Sequence, residues 1–177
     1  ERLHQIVENL LLLTRLESGH IQAQAVDLPV LIGRVVESHR RRRPLREVRV
    51  TEPEATIPKA AADPVLLRLV LDNLITNADK YSPIEQPIDV ALSQDTAGRP
   101  VIKVMDLGEG IDSNEVERVF EPFYRSDATR LTVTGMGLGL AVCKRVVEAL
   151  DGSIAYEARP DGGPTFCVTI PAASEPS

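Results

Sequence analysis

The most informative pattern in this 177-residue chain is Asp72-Asn73-Leu74-Ile75-Thr76-Asn77-Ala78-Asp79-Lys80-Tyr81. At about 100° per residue, Asn73, Asn77 and Lys80 fall within roughly 60° of one another on a helix, and we call these three residues the polar arc. The apolar residues occupy another face of the same helix: Leu67, Leu71, Leu74, Ile75 and Ala78. One helix is therefore predicted to bury its back and to present two amides and an ammonium together.

The polar arc has the chemistry of a metal and phosphate site. The amide oxygen of Asn77 is a neutral hard ligand for Mg²⁺, which binds few protein groups and keeps phosphate oxygens and water as its other ligands. The ammonium of Lys80 suits a phosphate as a point charge. A polar helix edge that faces water would show the same pattern, so the arc alone leaves both interpretations open.

Two glycine-containing stretches add nucleotide chemistry. The stretch Asp106-Leu107-Gly108-Glu109-Gly110 follows a predicted strand. An ionised Asp106 can accept a hydrogen bond from an exocyclic amine such as that of adenine. The two glycines of this stretch let the backbone approach a flat ligand. The stretch Gly135-Met136-Gly137-Leu138-Gly139-Leu140 opens a predicted helix, whose free amides attract an anion. Neither a P-loop nor a dinucleotide fingerprint is present there, and each stretch alone is a weak signal.

The remaining periodicities predict an α+β domain. Helices are predicted at 1–18, 28–42, 64–80, 113–119 and 137–150, and strands at 47–52, 88–93, 101–105, 153–158 and 165–170. Asp63 is the predicted N-cap of the second long helix with Pro64 at N1, and Asp112 and Glu115 have capping-box spacing. Helices and strands alternate without a strict βαβ rhythm, which favours a sandwich over a doubly wound sheet.

The ends of the chain have a different character from its middle. Leu3, Ile6, Leu10 and Leu13 form a coiled-coil-like seam that needs a partner helix, and the pattern opens as if cut from a longer protein. We expect a linker at 19–26, the main domain at 27–171, a mobile loop at 124–136 and a disordered tail at 172–177.

Composition indicates an ordinary globular domain. The chain is 43% hydrophobic and 26% charged, and its net charge of −6 argues against nucleic acid as the main partner. No apolar run approaches the roughly 18 residues of a membrane span. The basic run 39–43 is interpreted as a helix C-terminus, with a phosphate or acidic-partner patch as the alternative. Cys143 and Cys167 are expected to be buried and reduced.

In order and spacing, these stretches resemble the ATP-binding catalytic domain of sensor histidine kinases, within the superfamily of DNA gyrase, the Hsp-type chaperone ATPase and MutL. Residues 73–81 look like the N box of this family, 106–110 its G1 box, 135–140 its G2 box and 163–166 its final Gly-rich turn. Residues 120–125, Phe-Glu-Pro-Phe-Tyr-Arg, look like the F box, which the other ATPases lack.

The resemblance implies a Bergerat-type α/β sandwich, a mixed sheet with helices on one face, preceded by the end of a dimerisation helix at 1–18. Asn77 would ligate Mg²⁺, and Asp106 would bind the adenine amine of ATP. The expected nucleotide-binding residues are Asn73, Asn77, Lys80, Tyr81, Asp106, Gly108, Gly110, Gly135, Gly137, Leu138, Gly139, Leu140 and Thr165. The residues expected to take part in catalysis are Asn73, Lys80 and Arg125, and residues 124–136 would form the ATP lid.

The implied activity is transfer of the γ-phosphoryl group of ATP to a histidine on a dimerisation domain, and from there to a response regulator. The resemblance also implies a cytoplasmic domain of a membrane-anchored sensor, without membrane contact of its own. The acceptor motif is absent, since His4, His20 and His39 lie outside its context, so we expect no autophosphorylation by this chain alone. A nucleotide-holding scaffold and a serine-kinase relative stay open as alternatives.

Overall fold

The computed structural model of the protein describes residues 14, 16, 19, 21–53, 55–125 and 137–174. Most of the predicted first helix therefore lies outside the described residues, as do Gly135, residues 126–136 of the expected lid and the last three residues of the chain.

The described residues form a mixed sheet covered by helices. In chain order the elements are β1 (Gln24–Val26), α1 (Leu28–Arg42), β2 (Val48–Thr51), β3 (Ala60–Ala62), α2 (Pro64–Tyr81), β4 (Ile88–Gln94), β5 (Pro100–Met105), a 3₁₀ turn (Arg118–Phe120), α3 (Gly139–Ala149), β6 (Ser153–Ala158) and β7 (Pro164–Thr169). The main sheet has the order β2-β4-β5-β7-β6; β2 and β4 pair in parallel and the other neighbours are antiparallel. The predicted α+β class with a mixed sheet is confirmed.

Helix α2 is the central element of the core. Its apolar face is completely buried, with Leu67, Leu71 and Leu74 at most 1% exposed. It packs against α1 on one side and α3 on the other, and it also contacts β4 and β5. Alternate residues of β4, such as Ile88 and Val90, point into the same core. The predicted helix with a buried back is confirmed.

The start of α2 is fixed by the predicted cap. Asp63 Oδ1 accepts from the amides of Val65 and Leu66 at 2.9 and 3.3 Å. Its other carboxylate oxygen, Oδ2, accepts from the Gln22 amide at 3.0 Å. One carboxylate therefore satisfies two free amides of the helix and also ties the preceding segment to it.

A small ribbon was missed from the sequence. Strand β1 pairs antiparallel with β3, so the expected linker at 19–26 ends in a strand. Ala172 bridges Ala60, and the Ala173 amide donates to the Lys59 carbonyl at 2.7 Å, so order extends beyond the expected tail boundary at 172. The three alanines of β3 give no period-two signal, which is why the pattern predicted nothing there.

The helix predicted at 113–119 is wrong. Residues 113–117 form turns, followed by the 3₁₀ turn. The Glu115 amide donates to the Asp112 backbone carbonyl at 2.8 Å instead of to a capping side chain. Ser113 and Asn114 favour such local turns over a regular helix, and the segment is too short to oppose them. Helix α3 also begins at Gly139, two residues later than predicted.

The basic run closes α1 and pairs within the chain. Arg42 meets Asp72 at 2.8 Å and Arg43 meets Asp79 at 2.9 Å, which ties the last turn of α1 to α2. The interpretation as a helix C-terminus is confirmed by the end of α1 at Arg42. Cys143 and Cys167 are both buried and free, as expected. Burial raises the pKa of the Cys143 thiol to about 12 and that of Cys167 to about 11.

Candidate nucleotide site

The polar arc divides into a buried and an exposed part. Asn73 is only 6% exposed. Its Oδ1 lies 3.9 Å from the position that a Cβ would take at Gly139, the first residue of α3. Asn77 is half-buried and Lys80 is exposed. The arc thus starts in the α2–α3 interface and reaches solvent one turn later, where Asn77 and Lys80 can meet a ligand.

Asp106 is a buried carboxylate at the end of β5. It is 2% exposed, and its Oδ1 accepts from the Gly108 amide at 2.7 Å. Burial raises its pKa to about 6, while the Gly108 hydrogen bond and the charges of Arg46 and Arg159 oppose the rise. A carboxylate held this far from water stays ionised at neutral pH and is ready to accept from a ligand amine.

Gly108 joins the Asp106 turn to the end of α2. A Cβ at this position would lie 2.2 Å from the carbonyl oxygen of Tyr81, which is the last residue of α2. Gly108 was expected to let the backbone approach a ligand, but the close approach in the structure is between two parts of the protein. The glycine therefore fixes the spacing between the polar arc and Asp106.

A second glycine fixes Asp106 from the other side. Gly163 has a φ of +87°, and a Cβ there would lie 2.2 Å from the Asp106 carbonyl oxygen. The Asp106 amide donates to the Pro164 carbonyl at 3.2 Å, and the buried Thr165 pairs across the sheet with Met105. The β6–β7 turn, which resembles the last family motif, therefore packs directly on the turn that starts at Asp106.

The start of α3 lies beside the residues of the F box. The Phe123 amide donates to the Gly137 carbonyl at 2.9 Å, and a Cβ at Gly137 would lie 2.4 Å from the Tyr124 carbonyl oxygen. The N-cap residue of α3, Leu138, makes no side-chain capping hydrogen bond. The first amides of a helix have no partner within the helix, so the start of α3 is a candidate anion site.

The described residues bring most of the predicted set into one region. Asn73 lies near Gly139, Tyr81 lies next to Gly108, and Thr165 pairs across the sheet with Met105, the residue before Asp106. Leu138 and Leu140 are half-buried at the start of α3, whereas Gly110 is exposed near the Tyr156 hydroxyl. Arg125 ends the F-box stretch beside Gly137, and Gly135 lies outside the described residues.

Two contributors were not predicted. Arg46 closes the C-terminal end of α2 with a buried guanidinium, and the Tyr156 hydroxyl accepts from the Ile111 amide at 3.0 Å and so supports the Asp106 turn. Arg46 is one of several arginines between α1 and β2, so its spacing carried no signal. Tyr156 alternates like any strand residue, and only the fold reveals its contact.

Within the described parts of the chain, no cluster of three or more His, Cys, Asp or Glu is placed to hold a metal ion. None of the described helices has both the length and the apolar character that crossing a membrane requires.

Gly108→Ala should destabilise the domain by about 1–3 kcal/mol, because the added methyl group meets a backbone carbonyl that cannot rotate away. Gly33→Ala is the matched control: position 33 is exposed in the middle of α1, with open space around its Cβ. That change should stabilise by roughly 0.5–1 kcal/mol. Urea unfolding measures both, and equal effects would contradict the close packing at Gly108.

Comparison with known proteins agrees with this geometry. Residues 62–174 match the family described as histidine kinase-, DNA gyrase B- and HSP90-like ATPase. Sensor protein kinase WalK of Staphylococcus epidermidis is 34% identical over an alignment 179 residues long, which covers 97% of this chain and 28% of WalK. The chain therefore spans little more than a quarter of that protein.

Two solved structures are similar to the whole domain. Full-length ShkA in complex with AMPPNP matches with a TM-score of 0.78 and 26% identity, over 97% of this chain and 36% of ShkA. The mycobacterial sensor histidine kinase MprB matches with a TM-score of 0.72 and 29% identity, over 87% of this chain and 100% of the MprB chain. The predicted resemblance is thereby confirmed, and the chain belongs to the histidine kinase-, DNA gyrase B- and HSP90-like ATPase family.

Proposed function

We propose that this chain is the ATP-binding kinase module of a two-component sensor histidine kinase. It transfers the γ-phosphoryl group of ATP to a histidine on a dimerisation domain, for onward transfer to a response regulator. The observation that carries the proposal is the convergence of three elements: the end of α2, the Asp106 turn and the uncapped start of α3. The names of two similar proteins, sensor protein kinase WalK and sensor histidine kinase MprB, support the same assignment, and ShkA was solved in complex with AMPPNP.

Adenine recognition is assigned to Asp106. Its Oδ1 is occupied by the Gly108 amide, so Oδ2 is the oxygen left to accept from the exocyclic amine of adenine. Thr165 lies buried next to it on β7 and closes the same corner. A buried acceptor discriminates well between bases, because a ligand without the matching donor leaves the acceptor unsatisfied.

The phosphates are assigned to the opposite side of the site. The first amides of α3, from Gly137 to Leu140, lie where an anion interacts with a helix N-terminus, and Lys80 and Tyr81 end α2 nearby. Asn77 would hold Mg²⁺ together with the phosphate oxygens, with Asn73 behind it in the interface. A bound Mg²⁺ would neutralise phosphate charge and orient the terminal phosphate.

The expected ATP lid, residues 124–136, lies outside the described residues except for Tyr124 and Arg125. The F-box residues Phe123 and Tyr124 contact Gly137 at the start of α3. Arg125, at the start of the lid, would reach toward the terminal phosphate. Phosphoryl transfer depends mainly on positioning and charge neutralisation, which these residues supply.

The acceptor histidine is assigned to a different segment. His39 is 2% exposed and lies 4.0 Å from Asp79, so it has no access to a nucleotide phosphate. His4 and His20 lie outside the described residues, and none of the three histidines stands in the acceptor motif. We therefore assign the acceptor to a partner domain. Because ATP is the donor, we expect the domain to work in the cytoplasm.

The direct test is phosphoryl transfer from labelled ATP to the dimerisation segment of the full-length protein, added as a separate fragment. Acid-labile, base-stable label should appear on the fragment and not on this chain. Asn77→Ala should slow transfer by about 100-fold, as expected when the reacting phosphate is misplaced. Acid-stable label would indicate a serine kinase. Tight Mg·ATP binding without any transfer would indicate a scaffold.

Nucleotide affinity should depend on pH through Asp106. The pKa of this carboxyl is about 6, and only the ionised form accepts from adenine. Affinity for ADP should therefore be constant above pH 7 and fall as the pH drops below 6. Asp106→Asn is the control, because the phosphates of ADP still titrate in this variant but the carboxyl of residue 106 is gone. The variant should also have a weaker preference for ADP over GDP. Identical pH profiles in calorimetric titrations of the two proteins would contradict the assignment.

A further inference from the structure

A buried arginine lies behind the nucleotide-facing side of α2. Arg46 stands in the turn between α1 and β2, and its side chain is 1% exposed. Its Nε donates to Asp79 Oδ1, its Nη1 donates to the Pro83 and Gln86 carbonyls, and its Nη2 donates to the Asp79 and Ser82 carbonyls, all at 2.5–2.9 Å. Four of these five hydrogen bonds go to backbone oxygens, so the guanidinium holds a segment of chain and not only one carboxylate.

The segment that Arg46 holds is the C-terminal end of α2. The last carbonyls of a helix have no partner within the helix, and Arg46 supplies donors to two carbonyls at that end. The hydroxyl of Ser82, the C-cap residue, donates a further hydrogen bond to the Ala78 carbonyl at 2.7 Å. Asp79 is also paired with Arg43 at 2.9 Å. The end of α2 is therefore fixed from the side opposite the polar arc.

This end of α2 is the part that meets the Asp106 turn. Asp79 and Ser82, whose carbonyls Arg46 binds, flank Lys80 and Tyr81. The Tyr81 carbonyl is the atom on which Gly108 packs, and the Gly108 amide donates to Asp106. Each link is a direct contact, so a shift of the α2 end by a fraction of an ångström passes to the adenine acceptor.

We propose that Arg46 is a positioning residue for nucleotide binding, which sets the distance between the phosphate-facing end of α2 and the adenine-facing Asp106. This inference rests on the proposed nucleotide site. The positive charge of Arg46 also lowers the Asp106 pKa, which burial raises. The same side chain therefore positions the end of α2 and stabilises the ionised form of Asp106.

The number and direction of the bonds argue against a purely stabilising role. A buried ion pair costs desolvation energy and is often replaceable by apolar side chains without loss of stability. A planar fork that binds four separate carbonyls, by contrast, has no apolar or lysine equivalent. Stability and nucleotide affinity should therefore respond differently to substitutions at this position.

The experiment compares the affinity for Mg·ADP with the thermal midpoint in four variants of the 177-residue chain. Arg46→Met should weaken binding by about tenfold or more at temperatures where the protein stays folded, as expected for a misplaced site. Arg46→Met combined with Asp79→Leu should recover the part of the thermal midpoint that loss of the Arg46–Asp79 ion pair costs, but not the affinity. Arg46→Lys keeps the charge but not the fork, and it should also bind more weakly than the wild type.

Arg42→Met is the control, since Arg42 also pairs α1 with α2 through Asp72 but lies 53% exposed and away from Gly108. It should change the affinity by less than about twofold. Wild-type affinity in Arg46→Met or Arg46→Lys would overturn the proposal, and so would affinity that recovers together with the midpoint in the double variant. If Arg46→Met does not fold, the double and lysine variants decide. Absence of Mg·ADP binding by the wild type would instead overturn the proposed function.

Discussion

The close packing of the Asp106 turn on the end of α2 is the constraint on which the site depends. Gly108 lies so near the Tyr81 carbonyl that a Cβ would come within 2.2 Å of that oxygen. The helix that carries the amides and the strand end that carries the carboxylate therefore stand at one fixed separation. Gly163 makes a similar close approach on the other side of Asp106, so this residue, the proposed adenine acceptor, lies between two backbone contacts.

Burial in this domain serves position as much as stability. The pKa of Asp106 is raised because its carboxyl is buried away from water. Burying a charged group costs free energy, and the proposed role as a discriminating acceptor gives a reason for that cost. Asn73 lies buried on α2, with its Oδ1 next to Gly139 at the start of α3. A side chain of the polar arc therefore lies between the two helices that border the proposed phosphate site.

Periodicity and cap chemistry predicted the elements that depend on local sequence. The long apolar stripe of α2, its Asp63 cap and the alternation in β4 and β5 are each visible within a few residues of chain. The ribbon of β1 and β3 was missed because its strands are three residues long and pair with each other and with the chain at 171–173, which are distant in sequence. Arg46 was missed because its partners lie 33–40 residues away.

The candidate site shows the same division. The residue types of a nucleotide site were evident from the sequence, since an amide pair, a lysine, an aspartate and a glycine-rich helix start have few other common uses. The role of the glycines was not evident from the sequence. Gly108 and Gly163 each leave room for the backbone of a distant segment, and only the folded structure shows these contacts. Contacts between distant segments cannot be read from spacing, whereas helix faces and caps can.

Backbone amide chemical-shift mapping of the chain during titration with Mg·ADP tests the central claim most directly. The largest chemical-shift changes should fall together on residues 77–81, 106–110 and 137–140. Little change is expected at β2, on the far edge of the sheet. Changes concentrated at β2 or on the turn at 95–98, with the end of α2 and the start of α3 unaffected, would contradict it.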